Sequence, residues 1–170
     1  MKAGAYFTFF LLMIPLQASF LNPLSVAGIK PDLTLALLFI IGLITNPVEA
    51  TLVGMATGIL LDIGSASFIG LMGCTRGLVG LSASLLGRKV LNITSPSNGI
   101  VLTVFCLLEG ICIAFFLQII YGSVPFVNLL VGNIIPQAIY TGILGIVLLR
   151  LIVTKDFIDF LKRQNVQKEL

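Results

Sequence analysis

The sequence predicts an all-α integral membrane protein, a six-helix transmembrane bundle, and three observations carry that expectation. Hydrophobic residues make up 58% of the 170 and charged residues only 10%, against roughly 25% charged in a soluble domain. The mean hydropathy is +1.13. Several apolar runs approach the roughly 20 residues that a helix needs to cross a bilayer, and short polar turns separate them. At that span length the chain holds about six helices and no separate soluble domain. In such a protein the basic residues chiefly set orientation rather than bind nucleic acid.

The first predicted helix runs over residues 4–21 and stops at Asn22-Pro23. Its start, Met1-Lys2 and then an apolar run, has the form of a signal peptide. The run reaches Phe20, however, and Ala18-Ser19-Phe20 lacks the small residues of a cleavage site, so the helix is expected to be retained. Lys30-Pro31-Asp32 opens the second helix, 32–45: proline suits a first helical turn, and an acid there meets the positive helix terminus. Asn46-Pro47-Val48-Glu49 repeats that grammar and opens the third, 47–63. The second helix, at about 14 residues, spans about 21 Å, less than a hydrocarbon core of roughly 30 Å. This pair of helices therefore either borrows flanking residues or dips into the membrane and returns.

The fourth helix, 68–87, ends at Arg88-Lys89. The fifth covers 100–121 and the sixth 127–153. Pro136 lies within the sixth, where its missing N–H frees the carbonyl of Gly132 and predicts a kink. Asn133, Gln137 and Tyr140 share a polar face of that helix, expected to point inward. The tail, 154–170, is amphipathic and basic, suited to lying on an anionic membrane surface. With six spans, Lys2, Arg88, Lys89, Arg150, Lys155, Lys162, Arg163 and Lys168 fall on one side and Lys30 alone on the other. That bias places both termini in the cytoplasm.

Small residues form two stripes. Ala50, Gly54, Gly58 and Asp62 recur every four residues on the third helix, and Gly73, Gly77, Gly80, Ser84 and Gly87 at fours and threes on the fourth. Such stripes let backbones approach closely in lipid. They serve either the packing of this hairpin or the docking of a partner's helix.

Arg76 and Glu109 each fall about 12–13 Å from the nearer end of their predicted helices, hence near mid-bilayer. A lone charge at that depth costs about 2.5–3.5 kcal/mol even on the lenient insertion scale. The two are expected to be partners, as a structural ion pair, as the lining of a polar cavity, or as a charged contact to a partner helix. Asp32 and Glu49 are explained by helix starts. Asp62 sits at a helix end, where the macrodipole disfavours an acid, and so requires a partner such as water, Lys30 or another protein.

There is no histidine, and Cys74, Cys106 and Cys112 lie in apolar runs without other ligating residues, so no metal or disulfide is expected. No phosphate loop or nucleophile–base set is present, so no cofactor and no enzymatic activity is expected either.

One ordered set of motifs is distinctive: Lys30-Pro31-Asp32-Leu33, Asn46-Pro47-Val48-Glu49, Gly58-Ile59-Leu60-Leu61-Asp62-Ile63 and Phe68-Ile69-Gly70-Leu71. In order, spacing and overall length this resembles the bacterial rod shape-determining protein MreD family, most clearly over residues 30–90. The turn Gly64-Ser65-Ala66-Ser67 departs from the glycine- and proline-containing segment usual in that family. The resemblance implies a non-enzymatic scaffold of the inner membrane that binds MreC, works beside MreB, RodA and a class B penicillin-binding transpeptidase, and supports peptidoglycan synthesis and rod shape. It further implies a fold similar to the six-helix substrate-binding subunits of energy-coupling-factor transporters. By that analogy Asp62, Arg76 and Glu109 would line an outward-opening cavity. The alternative function is a small-molecule (vitamin-like) binding subunit of a membrane transporter.

Overall fold

The computed structural model describes residues 25, 28–64, 70–89, 97–122 and 125–152. The predicted helix at 4–21 and the tail at 154–170 lie outside the described residues, as does most of the turn after Gly64. Within them the chain is all-helical, with five helices where six are expected for the whole chain. These are α1 (Leu33–Ile44), α2 (Pro47–Gly64), α3 (Leu71–Lys89), α4 (Ser97–Tyr121) and a composite α5. α5 is α-helical at Phe126–Leu129, π-helical at Leu130–Ile134 and α-helical again at Ile135–Ile152. Among the described residues, three stretches are long and apolar enough to cross a membrane: Pro47–Gly64, Ser97–Ile120 and Phe126–Leu151.

α1 is the centre of the bundle. It is apolar on every side, and a helix of that kind has to be buried all round. All residues from Thr34 to Leu43 are buried, with Leu35, Ala36, Leu38 and Phe39 fully so. Its 12 residues rise only about 18 Å, less than the 14 expected from sequence. The short helix is tolerated because its ends lie against protein rather than lipid. The Ser84 hydroxyl donates to the Thr45 carbonyl at 2.7 Å at one end, and Asp32 caps the other.

Two helix pairs enclose α1. The α2–α3 hairpin has the most extensive interface in the fold, and here the two small-residue stripes face each other. A Cβ on Gly54 would collide with the Arg76 carbonyl, one on Gly58 with the Met72 carbonyl, and one on Gly80 with the Ala50 carbonyl. At Gly77 and Gly73 it would come within 2.6 Å of Met55 Cγ and 2.8 Å of Ile59 Cγ1. These five glycines therefore form an internal seam, and the outward docking groove allowed by sequence is not where they lie. α4 and α5 make the second pair through Gly142 and Gly145, packed against Thr103 and Leu102. Phe39 of α1 reaches Phe105 of α4 with ring centroids 5.9 Å apart.

Pro136 is met by a change of helical register. Its ring crowds the carbonyl four residues back, and it offers no N–H. Just before it the helix widens, so that the Ile135 N–H bonds the Leu130 carbonyl, five residues away. π-turns of this kind accommodate a disrupted ladder.

Gly58→Val is expected to destabilise the protein by at least about 1–3 kcal/mol through overpacking, read as a lower midpoint in thermal unfolding of the detergent-solubilised chain. Gly64→Ala is the control: a Cβ there meets nothing within 4 Å, and the midpoint should not move.

Candidate functional site: a buried charge cluster beneath a cavity

Arg76 lies a quarter of the way along α3 and is 3% exposed. Its Nε donates to Glu109 Oε1 of α4 at 3.1 Å. Its Nη2 donates to Asp32 Oδ2. The guanidinium is thus shared between two carboxylates, one on α4 and one at the start of α1. The planar fork of arginine, with donors on three nitrogens, suits two acids arriving from different helices.

The Arg76–Glu109 contact joins the two residues paired by depth. Asp32 corrects the sequence reading, which explained it by its helix start alone. It does cap α1, with Oδ1 accepting from the Leu35 N–H at 2.8 Å. Its second oxygen is free to hold Arg76, so one carboxylate serves both tasks. Its own N–H donates to Thr141 Oγ1 of α5 at 2.9 Å, a link with no sequence signal. A signal for Asp32 did exist. A helix of about 18 Å that reaches one membrane face starts near mid-bilayer, the depth assigned to Arg76.

Asp62 is the second correction. It is fully buried, and its partner is the start of α3 across the turn. Oδ2 accepts from the Gly70, Met72 and Gly73 N–H groups at 2.8, 3.2 and 3.4 Å, and Oδ1 from Met72 at 3.3 Å. The macrodipole that disfavours an acid at the end of α2 favours it at the start of its antiparallel neighbour, whose first N–H groups have no helical acceptor. Asp62 therefore works as a cap borrowed from the preceding helix. It does not line the cavity beside Arg76 and Glu109.

Of the helix-start residues, Pro31 is buried, while Pro47 and Glu49 occupy the first turn of α2 with Glu49 exposed. Cys106 is buried, and Cys74 and Cys112 lie on exposed faces.

Asp32, Arg76 and Glu109 form one end of a cavity of about 280 Å³. Asn133 and Gln137 of α5 border it, Gln137 half-buried and Asn133 exposed; Tyr140 does not reach it. The cavity has a simple cause. α1 fills only half the height of the bundle, and beyond its N-terminus α3 and α4 touch sparsely. The space left over is walled by Met72 of α3, Ile113, Ala114 and Leu117 of α4, and Leu129 of α5.

The fold and the site define an all-helical membrane protein with a charged internal cluster. Comparison with protein-family models, with curated proteins and with solved structures finds no match to this chain.

Arg76→Ala leaves buried Glu109 and half-buried Asp32 without their shared counter-ion and is expected to cost about 3–5 kcal/mol. Glu109→Gln or Asp32→Asn should each cost less, because Arg76 keeps one acid, and Arg76→Ala combined with Glu109→Gln should recover part of the loss. Thermal unfolding in detergent and the level of chain in membranes check the order. Asp62→Ala is expected to cost about 0.5–2 kcal/mol as a lost cap, and Asp62→Asn less, because the amide oxygen still accepts from the start of α3.

Proposed function

We propose that this chain is a non-enzymatic membrane scaffold of the MreD type. It is a six-helix bundle in the bacterial inner membrane with both termini in the cytoplasm. It binds MreC, works with RodA, a class B penicillin-binding transpeptidase and MreB, and supports peptidoglycan synthesis and rod shape. One observation supports this reading above the rest: two of the three acids in the motifs that carry the resemblance, Asp32 and Asp62, are spent on internal contacts, while Glu49 is exposed. Asp32 of Lys30-Pro31-Asp32-Leu33 holds Arg76 and caps α1. Asp62 of Gly58-Ile59-Leu60-Leu61-Asp62-Ile63 caps α3. Motif residues that fix a hairpin's shape suit a protein that works by presenting helices to partners.

Photo-crosslinking residues at Leu52, Leu78, Ile119 and Val147, which are exposed on α2, α3, α4 and α5, test this in growing cells. The expected result is an adduct with MreC from one helix face and co-purification of the two from detergent. Absence of MreC from every adduct and from the purified material would overturn the proposal. The second reading, a small-molecule binding subunit of a transporter, draws support from the cavity. It requires a small ligand retained in native mass spectrometry of the chain and co-purification with transporter subunits in place of MreC.

A further inference from the structure

We infer that the five described helices form two rigid units, α1–α3 and α4–α5, which rock on one another, and that the Arg76–Glu109 pair is the latch between them. This goes beyond the scaffold reading and rests on how the helices pack.

Close backbone contacts draw the boundary. The glycine seam holds α2 to α3. A Cβ on Gly42 would come within 2.8 Å of Ala83 Cβ, and one on Gly87 within 3.0 Å of Leu43 Cα, so α1 and α3 are joined in the same way. A Cβ on Gly99, Gly110, Gly142 or Gly145 would strike a side chain across the α4–α5 contact. Among the described residues, none of these close approaches joins one unit to the other. Contact distance is a main source of helix association in lipid. Each unit is therefore tight inside, and the boundary between them is looser.

The contacts that do cross the boundary are uneven. In the half of the bundle that α1 fills, Leu102 and Cys106 of α4 and Ala138 and Leu149 of α5 share a core with α1. Phe39 meets Phe105 there, and the Asp32 N–H bonds Thr141 of α5 at the edge of that half. In the other half α3 and α4 touch sparsely, and a cleft walled by Met72, Ile113, Ala114 and Leu117 lies between them. The α1 half is the pivot and the cleft half is free to widen. Arg76 and Glu109 stand where the two halves meet.

Two acids on one arginine are one more than neutrality needs. Asp32 belongs to the same unit as Arg76, so that pair survives a movement between units. Glu109 belongs to the other unit. When it leaves, Arg76 keeps a counter-ion. Glu109 borders the cleft and there meets water, the setting in which intramembrane acids are tolerated. An acid placed across the boundary, and not needed to neutralise the arginine, suits a contact that is made and broken. Glu109 lies about 6 Å along α4 from Phe105, and Ile119 about 21 Å. Admitting one water, about 3 Å, between Arg76 and Glu109 therefore carries the far end of α4 outward by about 10 Å.

Double electron–electron resonance between nitroxide labels, on the full chain in lipid nanodiscs, tests this. Ile63→Cys with Ile119→Cys spans the boundary at the cleft end, and Leu85→Cys with Ile100→Cys spans it at the α1 end. Ile119→Cys with Val127→Cys lies within the α4–α5 unit. All five positions are exposed, and Cys74, Cys106 and Cys112 are replaced by alanine. Glu109→Ala should lengthen the mean Ile63–Ile119 distance by at least about 5 Å, half the full lever movement, and leave the other two pairs unchanged. Glu109→Gln, which keeps the volume of the side chain, should shift it less in the same direction. Asp32→Asn removes the other acid and should leave all three distances unchanged, because Arg76 and Glu109 still span the boundary. An unchanged Ile63–Ile119 distance in both Glu109 variants, the same lengthening in Asp32→Asn, or an equal change in the α1-end pair or the α4–α5 pair would overturn the proposal.

Discussion

Arg76 is the point at which all five described helices meet. Its side chain takes Glu109 from α4 and Asp32 from the start of α1. Asp32 in turn donates its N–H to Thr141 of α5. The Arg76 carbonyl lies where a side chain on Gly54 of α2 would have to go. A cation at mid-bilayer is unfavourable alone. The arrangement that removes the penalty, two carboxylates on different helices, also sets the depth of each helix relative to the others. A shift of α1 or α4 by one turn, about 5.4 Å, would break one of the pairs.

The hairpin of α2 and α3 depends on a different constraint, close backbone approach. In lipid, apolar side chains gain little by leaving a medium as apolar as themselves, so association rests on contact distance and hydrogen bonds. The glycine seam supplies the distance. Asp62 supplies hydrogen bonds, accepting from three N–H groups at and just before the start of α3. Ser84 and Thr45 add a bond between α3 and the end of α1. The polar groups in this part of the bundle thus tie helix ends to neighbouring helices.

The shortness of α1 connects the fold to the cavity. A full-length central helix would fill the bundle from face to face. A half-length one brings its capping acid to mid-depth, where it can reach Arg76, and leaves space above it. Cluster and cavity are consequences of the same truncation, and together they give the space one charged end and one apolar end.

Much of the architecture was legible in the chain. Hydropathy marked the helices, the small-residue stripes marked the seam of the hairpin, and the matched depths of Arg76 and Glu109 marked a pair, because helical rise and period are local properties. Asp32 was hidden because one carboxylate performs two tasks and the local one, capping, accounts for it fully. Asp62 was misjudged because the N–H donors it accepts from belong to the start of the next helix, on the far side of a turn. Thr141 gave no signal, since a threonine in an apolar helix ordinarily bonds its own backbone. The sequence by itself determined which segments are helical, which of them are apolar enough to enter a membrane, and which charges require partners. Only the tertiary structure decided which partners they take and where space remains, because both depend on how far α1 extends between its neighbours, and that is set by packing across helices distant in the chain.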